Sequence, residues 1–246
     1  MNTQQVAIVT GGAGGLGYVI ADTLAYAGYK PIIFDRSAER LARLDANRFV
    51  GMQVDVTQET EVVQAVNDVI GRFGAVHVLV NNAGTIFSAP VLNIMSSNQR
   101  RHSYDAFKQN VDINLNAVFL MGSVVAESMA VHRINGVIVN ISSISAAGNA
   151  GQSAYSAAKA GVEAMTKVWS KELGLFGIRV AAVAPGFMDT DSTRSALSAE
   201  KIQDLCRKIP LRRLGTEKNV AMAVMSVIEN DFINGAVISV DGGMVV

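Results

Sequence analysis

Short, almost wholly apolar runs alternate along this chain with longer stretches in which apolar residues recur at helical spacing. The runs Val6–Thr10, Lys30–Asp35, Phe49–Val56, Val76–Val80, Val137–Ile141, Ile178–Val183 and Ala236–Val240 predict seven strands. Between them the pattern predicts a helix over Leu16–Ala27, ended by Gly28, and a short polar helix over Ser37–Ala46. Another is expected to be capped by Thr57, with Thr60 and Glu61 in its first turn and Gly74 past its end. Long helices follow over Tyr104–His132 and after Gln152, and a last one over Thr216–Glu229. Residues 85–103 and 188–215 read as irregular, the latter with short helical pieces. Strands alternating with helices at this spacing predict an α/β architecture with a parallel, doubly wound sheet. With no composition shift, proline-rich linker or repeat beyond the βα unit, residues 1–246 are expected to form a single domain.

Ligands of such sheets sit at the carboxyl ends of the strands, near the switch in strand order. The candidate residues fall at such ends: the glycines after the first strand, Asp35, Asp55, Asn82, Ser143, Pro185 and Gly186. The cluster Gly11-Gly-Ala-Gly14-Gly15-Leu16-Gly17 follows a strand and opens a helix, the context in which a glycine turn holds a dinucleotide pyrophosphate at a helix N-terminus. No Gly-Lys-Ser/Thr follows, which argues against ATP chemistry. Tyr155 and Lys159 stand four residues apart in an Ala-, Lys- and Glu-rich stretch, so on one helix face. An ammonium that close favours the phenolate, and Tyr155 is expected below its ordinary value, able to exchange a proton with an alcohol or carbonyl near neutral pH. Tyr-x-x-x-Lys also occurs by chance on many helices; the glycine turn upstream is what raises it above that.

Composition narrows the classes. Half the residues are hydrophobic, 17% are charged, and 21 basic residues balance 21 acidic ones. That gives no support to nucleic acid or an anionic membrane as a partner. The single cysteine, Cys206, excludes an internal disulfide framework and fits a reducing compartment. No signal-peptide pattern opens the chain and no apolar run reaches the roughly 18 residues of a membrane span, so a soluble cytoplasmic protein is expected. The histidines His77, His102 and His132 lack ligand spacing, and no metal is indicated. A basic group, Arg194, Lys201, Arg207, Lys208, Arg212 and Arg213, reads as a solvated face, or alternatively as a contact for an acidic carrier protein or a coenzyme A phosphate.

Taken in order, Thr10-Gly11-x-x-x-Gly15-x-Gly17, Asn81-Asn82-Ala83-Gly84, Asn114, Ser142-Ser143, Tyr155-x-x-x-Lys159 and Pro185-Gly186 resemble the short-chain dehydrogenase/reductase family over nearly the whole chain. The resemblance implies a Rossmann-type doubly wound parallel sheet of seven strands with helices on both faces. It also implies a nicotinamide cofactor and hydride transfer between a secondary alcohol and a ketone. Carried over, Tyr155 would be the general acid/base, and Lys159 would lower its pKa while holding the nicotinamide ribose. Ser143 would hydrogen-bond the reacting oxygen. Asn114 would bind a water extending a proton relay to Lys159; the plainer reading is a helix-interior polar residue bonding its own backbone. Neighbouring Asn110 and Asn116 lack that motif context. The family usually counts thirteen positions from serine to tyrosine, which leads back to Ser142, whereas the strand motif marks Ser143; Ser143 is preferred and Ser142 is the alternative.

For the cofactor, the resemblance implies Gly11, Gly14, Gly15, Leu16 and Gly17 at the pyrophosphate and Asp35 with Arg36 at the adenosine ribose. It places Asp55 and Val56 beside the adenine and Asn82, Ala83 and Gly84 on the ribose side. Tyr155, Lys159, Pro185, Gly186, Met188 and Thr190 would lie toward the nicotinamide. Asp35 favours NAD, with NADP less favoured. The pattern is most similar to members that reduce 3-oxoacyl-carrier-protein substrates, so a 3-oxoacyl thioester is the alternative to a simple alcohol or ketone. A non-catalytic dinucleotide sensor is a third reading. Asp241-Gly-Gly243 resembles a family signature tied to subunit contacts, and a homotetramer is expected. Residues 85–103 are longer than the family norm and carry Arg100-Arg101-His102, with no chemistry legible in them.

Overall fold

The computed structural model describes residues 4–244. Seven strands form one sheet: β1 (Val6–Thr10), β2 (Lys30–Asp35), β3 (Val50–Gln53), β4 (Val78–Asn81), β5 (Val137–Ile141), β6 (Arg179–Pro185) and β7 (Val237–Val240). Every pairing is parallel and the order is β3-β2-β1-β4-β5-β6-β7. The chain leaves β1 toward β2 on one side and returns to β4 on the other. The crevice at the ends of β1 and β4 is therefore the switch point.

Successive residues of each strand point to opposite faces, and both faces are covered, which is why the strands are apolar throughout rather than alternating. Val6 and Ile8 of β1 belong to one core with α3 (Glu59–Phe73), α5 (Ala117–Val131) and α6 (Ser153–Glu172). Ala7 and Val9 belong to the other, with α1 (Gly15–Tyr26) and α9 (Glu217–Glu229). The remaining α-helices among the described residues are α2 (Ala38–Leu41), α4 (Tyr104–Val111), α7 (Asp191–Ala196) and α8 (Ala199–Lys208).

Several expected boundaries differ. The helix after β2 is only Ala38–Leu41, capped by the Ser37 hydroxyl, and turns follow it where more helix was expected. β3 ends at Gln53, not Val56, because Asp55 and Thr57 form a side-chain-stabilised turn instead of ladder bonds: the Asp55 carboxylate accepts from the Thr57 amide at 3.0 Å and the Thr57 hydroxyl at 2.7 Å. Thr57, spent on that turn, does not cap α3; Gln58 takes that position without a side-chain bond. The expected Tyr104–His132 helix is continuous only through a π-turn at Asp112–Asn116. By length and composition Tyr104–Val131 is also apolar enough to cross a membrane, against the sequence reading. Here its apolar side is packed: Val118, Met121, Val125 and Met129 are buried in the core shared with α3 and α6.

Candidate active site

β1 delivers the glycine turn. Gly11 and Gly15 adopt positive φ, 63° and 52°, which glycine alone takes at little cost. Gly17 is required for space, since a β-carbon there would stand 2.3 Å from the Gly11 carbonyl oxygen and 2.5 Å from Asn82 Nδ2. The Thr10 hydroxyl accepts from the amides of Asn82 (3.0 Å) and Ala83 (2.9 Å), and Asn82 Nδ2 donates to the Thr10 carbonyl at 2.9 Å. Asn82, expected on the ribose side of a cofactor, thus spends its amide bracing the turn across the switch point. The turn leads into α1, whose N-cap, Gly14, offers no side-chain cap and whose first turn holds no acid. The positive dipole end of α1 and its first N–H groups suit an anion, and the Glu217 carboxylate of α9 already stands there, 3.7 Å from where a Gly15 β-carbon would be.

Asp35 ends β2 beside this turn, buried, with Oδ2 accepting from the Ala13 amide (3.2 Å) and Oδ1 from the Ser37 amide (3.0 Å). Each oxygen keeps a lone pair for a further donor. Arg36 is exposed. Val56 is buried in the core and Asp55 holds the strand-end turn, so both shape the rim more than they project from it. An uncapped helix start, a glycine-rich turn and an acid at the second strand end together suit a dinucleotide.

β4 and α4–α5 meet at Gly84–Thr85. Asn114, fully buried in the π-turn, donates from Nδ2 to the Thr85 carbonyl (2.9 Å) and to the Asn110 carbonyl (3.0 Å) and Oδ1 (3.2 Å). Its Oδ1 accepts from the Thr85 amide at 3.3 Å. Both hydrogens of this amide and one oxygen lone pair are engaged within the protein, so its side chain clamps the Gly84–Thr85 turn. Asn110 belongs to the same clamp and reaches the Thr85 carbonyl at 3.3 Å. Sequence reading passed it over because the π-turn that brings positions 110 and 114 to one loop leaves no mark in the apolar pattern; such turns recur at functional sites.

α6 carries Tyr155 and Lys159, and buried hydrogen bonds tie it to the strand ends. Asn81 donates to Asn140 Oδ1 (2.9 Å), and Asn140 donates to the Thr166 hydroxyl (2.9 Å). Lys159 is 3% exposed and donates from Nζ to the Ile141 carbonyl at 2.7 Å; Nζ stands 5.6 Å from the centre of the Tyr155 ring. A β-carbon on Gly84 would be 2.6 Å from Asn114 Oδ1 and 3.8 Å from Lys159 Nζ, so these groups border one space. Burial lowers Lys159 to about 8. Tyr155 is not lowered as expected: burial raises it, and a hydrogen bond with Ser143 opposes that rise. The ammonium is anchored on the Ile141 carbonyl, and burial outweighs any lowering of the phenol.

The serines separate. Ser143 bonds Tyr155 and accepts from the Ser145 amide at 3.1 Å, while Ser142 is buried and donates to Glu163 Oε1 at 2.8 Å. Ser142 also ties β5 to β6, its amide donating to the Val183 carbonyl at 2.8 Å. Past β6, the Gly186 amide donates to the Val240 carbonyl, Met188 pairs with Gly215, and the Thr190 hydroxyl accepts from the Thr193 amide to cap α7. The long 85–103 segment forms a hairpin-like arm with Leu92 paired to Arg101. It is pinned to the residues that precede α6 by the bonds from the Ala89 amide to the Gly151 carbonyl (2.7 Å) and from Gln152 Nε2 to the Ser88 hydroxyl (3.1 Å). His102 lies between the rings of Phe87 and Phe107, 5.6 and 6.4 Å away centre to centre.

A family model described as short chain dehydrogenase matches residues 5–201. A 3-oxoacyl-(acyl-carrier-protein) reductase FabG of Chlamydia muridarum is 36% identical, over 98% of this chain and 97% of that one. The human 3-hydroxyacyl-CoA dehydrogenase type-2 is 35% identical, over 97% and 94%. Among solved structures, a short chain dehydrogenase from Bacillus anthracis superposes with a TM-score of 0.85 at 27% identity, covering 97% of this chain and 95% of that one.

Proposed function

We propose, from the premise that this chain belongs to the short-chain dehydrogenase family, that it interconverts a 3-hydroxyacyl and a 3-oxoacyl thioester, or a secondary alcohol and ketone of similar shape, using NAD(H). Membership makes it an NAD(P)-dependent oxidoreductase acting on CH–OH groups. The thioester reading draws on the two relatives, one named for a carrier-protein substrate and the other for a coenzyme A substrate, which share that acyl group. We read the whole chain as one catalytic domain, since strands from Val6 to Val240 join one sheet. A reducing compartment such as the cytoplasm suits the free Cys206.

The observation that carries the reading is Tyr155, buried and hydrogen-bonded to Ser143, one helical turn from the Lys159 ammonium. When bound, the nicotinamide supplies the hydride acceptor or donor. In reduction, the carbonyl oxygen of the substrate sits between the Ser143 and Tyr155 hydroxyls, and Tyr155 gives it a proton as the carbonyl carbon gains a hydride. The Lys159 charge, held by the Ile141 carbonyl, offsets the phenolate left behind. Asn114 and Asn110 fix the Gly84–Thr85 turn against this space. Assays of NAD⁺ reduction with secondary alcohols, and of NADH oxidation with acetoacetyl-CoA, test the reading. No turnover with any of them would leave a dinucleotide sensor as the better account.

Asp35 makes the cofactor preference quantitative. A 2′-phosphate on the ribose would face its carboxylate, and two unit charges at about 4 Å repel by roughly 4 kcal/mol at an effective dielectric near 20. A third of that is about tenfold. The expected result is kcat/KM for NAD(H) at least about tenfold above that for NADP(H), with Asp35→Ala narrowing the gap. Equal use of both cofactors by the natural protein would refute it.

A homotetramer belongs to the same proposal. α5 and α6 expose Phe119 (55%), Val131 (71%) and Val168 (49%), more apolar surface than one sheet face needs. Trp169 packs beneath, 6.3 Å from Phe119 and against Gly122, where a β-carbon would stand 2.5 Å from its ring. Sedimentation at micromolar concentration is expected to give a tetramer; a monomer there sinks the assignment.

A further inference from the structure

Arg36, next to Asp35, is the arginine that the sequence places at the adenosine ribose. The structure fills that corner from elsewhere. The guanidinium of Arg40 lies over Gly14, with Nη1 at 3.8 Å and Cδ at 3.9 Å from where a Gly14 β-carbon would be. Both distances are ordinary van der Waals contacts, so the Arg40 side chain lies directly against the N-cap of α1. Its position is set by its helix. The Ser37 hydroxyl accepts from the Arg40 amide at 3.3 Å, and the same Ser37 donates its own amide to Asp35. Leu41, the next residue, packs against the core, which turns Arg40 back over the glycine turn. On the outer side, Glu39 is engaged by Arg43 in an i,i+4 ion pair, and among the described residues no ion pair involves Arg40. Arg36 is exposed, and its backbone carbonyl accepts from Gln53 Nε2 at 3.3 Å.

One corner therefore holds an acid fixed by two backbone amides and, beside Gly14, a guanidinium on a flexible stem. We propose that Arg40, not Arg36, is the residue that binds the 2′-phosphate, so that the pocket prefers NAD(H) through Asp35 yet admits NADP(H) at lower affinity through Arg40. A guanidinium offers paired donors matched to phosphate oxygens, and its charge offsets part of the Asp35 repulsion. A ribose bearing only hydroxyls has no use for it, which makes the contribution specific to the phosphorylated cofactor. This inference rests on the dinucleotide-binding reading above.

The test is direct binding, read by calorimetry with NAD⁺ and with NADP⁺, without substrate. The proteins are wild type, Arg40→Gln, Arg40→Lys and Arg36→Gln, each also in the Asp35→Ala background, where the NADP⁺ signal is larger. Arg40 is exposed, so melting temperatures are expected to stay level and to certify folded protein. Arg40→Gln is expected to weaken NADP⁺ binding about tenfold and NAD⁺ less than about twofold, with Arg40→Lys intermediate for NADP⁺. Arg36→Gln should change either affinity less than about threefold. Parallel loss of both cofactors in Arg40→Gln would place the guanidinium on the pyrophosphate or adenine and overturn the proposal. So would a change for NADP⁺ below about threefold, or an equal loss in Arg36→Gln. Failure of the wild type to bind either dinucleotide would instead remove the cofactor reading itself, and this proposal with it.

Discussion

Replacing Tyr155 with phenylalanine is expected to reduce turnover roughly 10²–10⁴-fold, the range a positioned acid/base contributes, while NAD⁺ binding stays nearly unchanged. The ring of Tyr155 is buried and keeps its packing in the variant, so only the hydroxyl and its bond to Ser143 are lost. The proton has no other route, since Ser143 is a poor acid on its own and Lys159 is engaged with the Ile141 carbonyl. The pH profile carries a second signature. Reduction needs the Tyr155 proton and the Lys159 charge together. Burial raises Tyr155, so its proton is retained through neutral pH, whereas burial lowers Lys159 to about 8. The profile of kcat/KM for ketone reduction, which reports the free enzyme, is therefore expected to be level below about 8 and to fall above it as the ammonium is lost. Unfolding does not explain such a fall. With Lys159 lowered to about 8 from 10.5, the unfolded chain binds more protons between those values. This group's contribution to stability accordingly rises with pH across the window. A melting temperature that holds while activity drops would separate the two. Turnover of Tyr155→Phe within about tenfold of wild type removes Tyr155 from the mechanism.

The parts of this architecture legible in the sequence are those where one local rule decides. Apolar runs buried on both faces read as parallel strands, and the glycine turn reads from its place between strand and helix. Tyr155 and Lys159 read together because i and i+4 share a helix face. What was not legible depends on contacts across the fold. The π-turn at Asp112–Asn116 leaves the apolar spacing intact, so Asn110 looked incidental although it shares the Thr85 carbonyl with Asn114. The length of the helix after β2 was over-read, because its polar pattern continues past Leu41 into turns. Arg40 carried no signal at all, since its meaning comes from Gly14, twenty-six positions away. The direction of the Tyr155 shift failed for a related reason. Spacing places an ammonium on the right helix face, but the Ile141 carbonyl and the burial that decide its partner belong to β5 and the packed core.

The two serines after β5 give a paired prediction of comparable size. Ser143→Ala is expected to lower turnover at least about a hundredfold, and Ser142→Ala less than about tenfold. Counting back from Tyr155 points to Ser142, and the end of the strand points to Ser143. The geometry separates them because neighbouring residues of an extended chain project to opposite sides. Ser143 turns toward Tyr155, and its φ of −167° continues the extended backbone up to the short helical turn at Ile144–Ala147. Ser142 is buried and donates to the half-buried Glu163, one turn beyond Lys159 on α6. Losing the Ser142 hydroxyl leaves Glu163 without that donor, a cost that should appear as roughly 1–3 kcal/mol of stability rather than in the chemical step. The two variants are thus expected to part along different axes: Ser143→Ala keeps its melting temperature and loses kcat, while Ser142→Ala melts earlier and keeps most of its kcat. A Ser142→Ala enzyme that melts normally but has lost its turnover would move the substrate oxygen to Ser142 and make the count from Tyr155 the better guide.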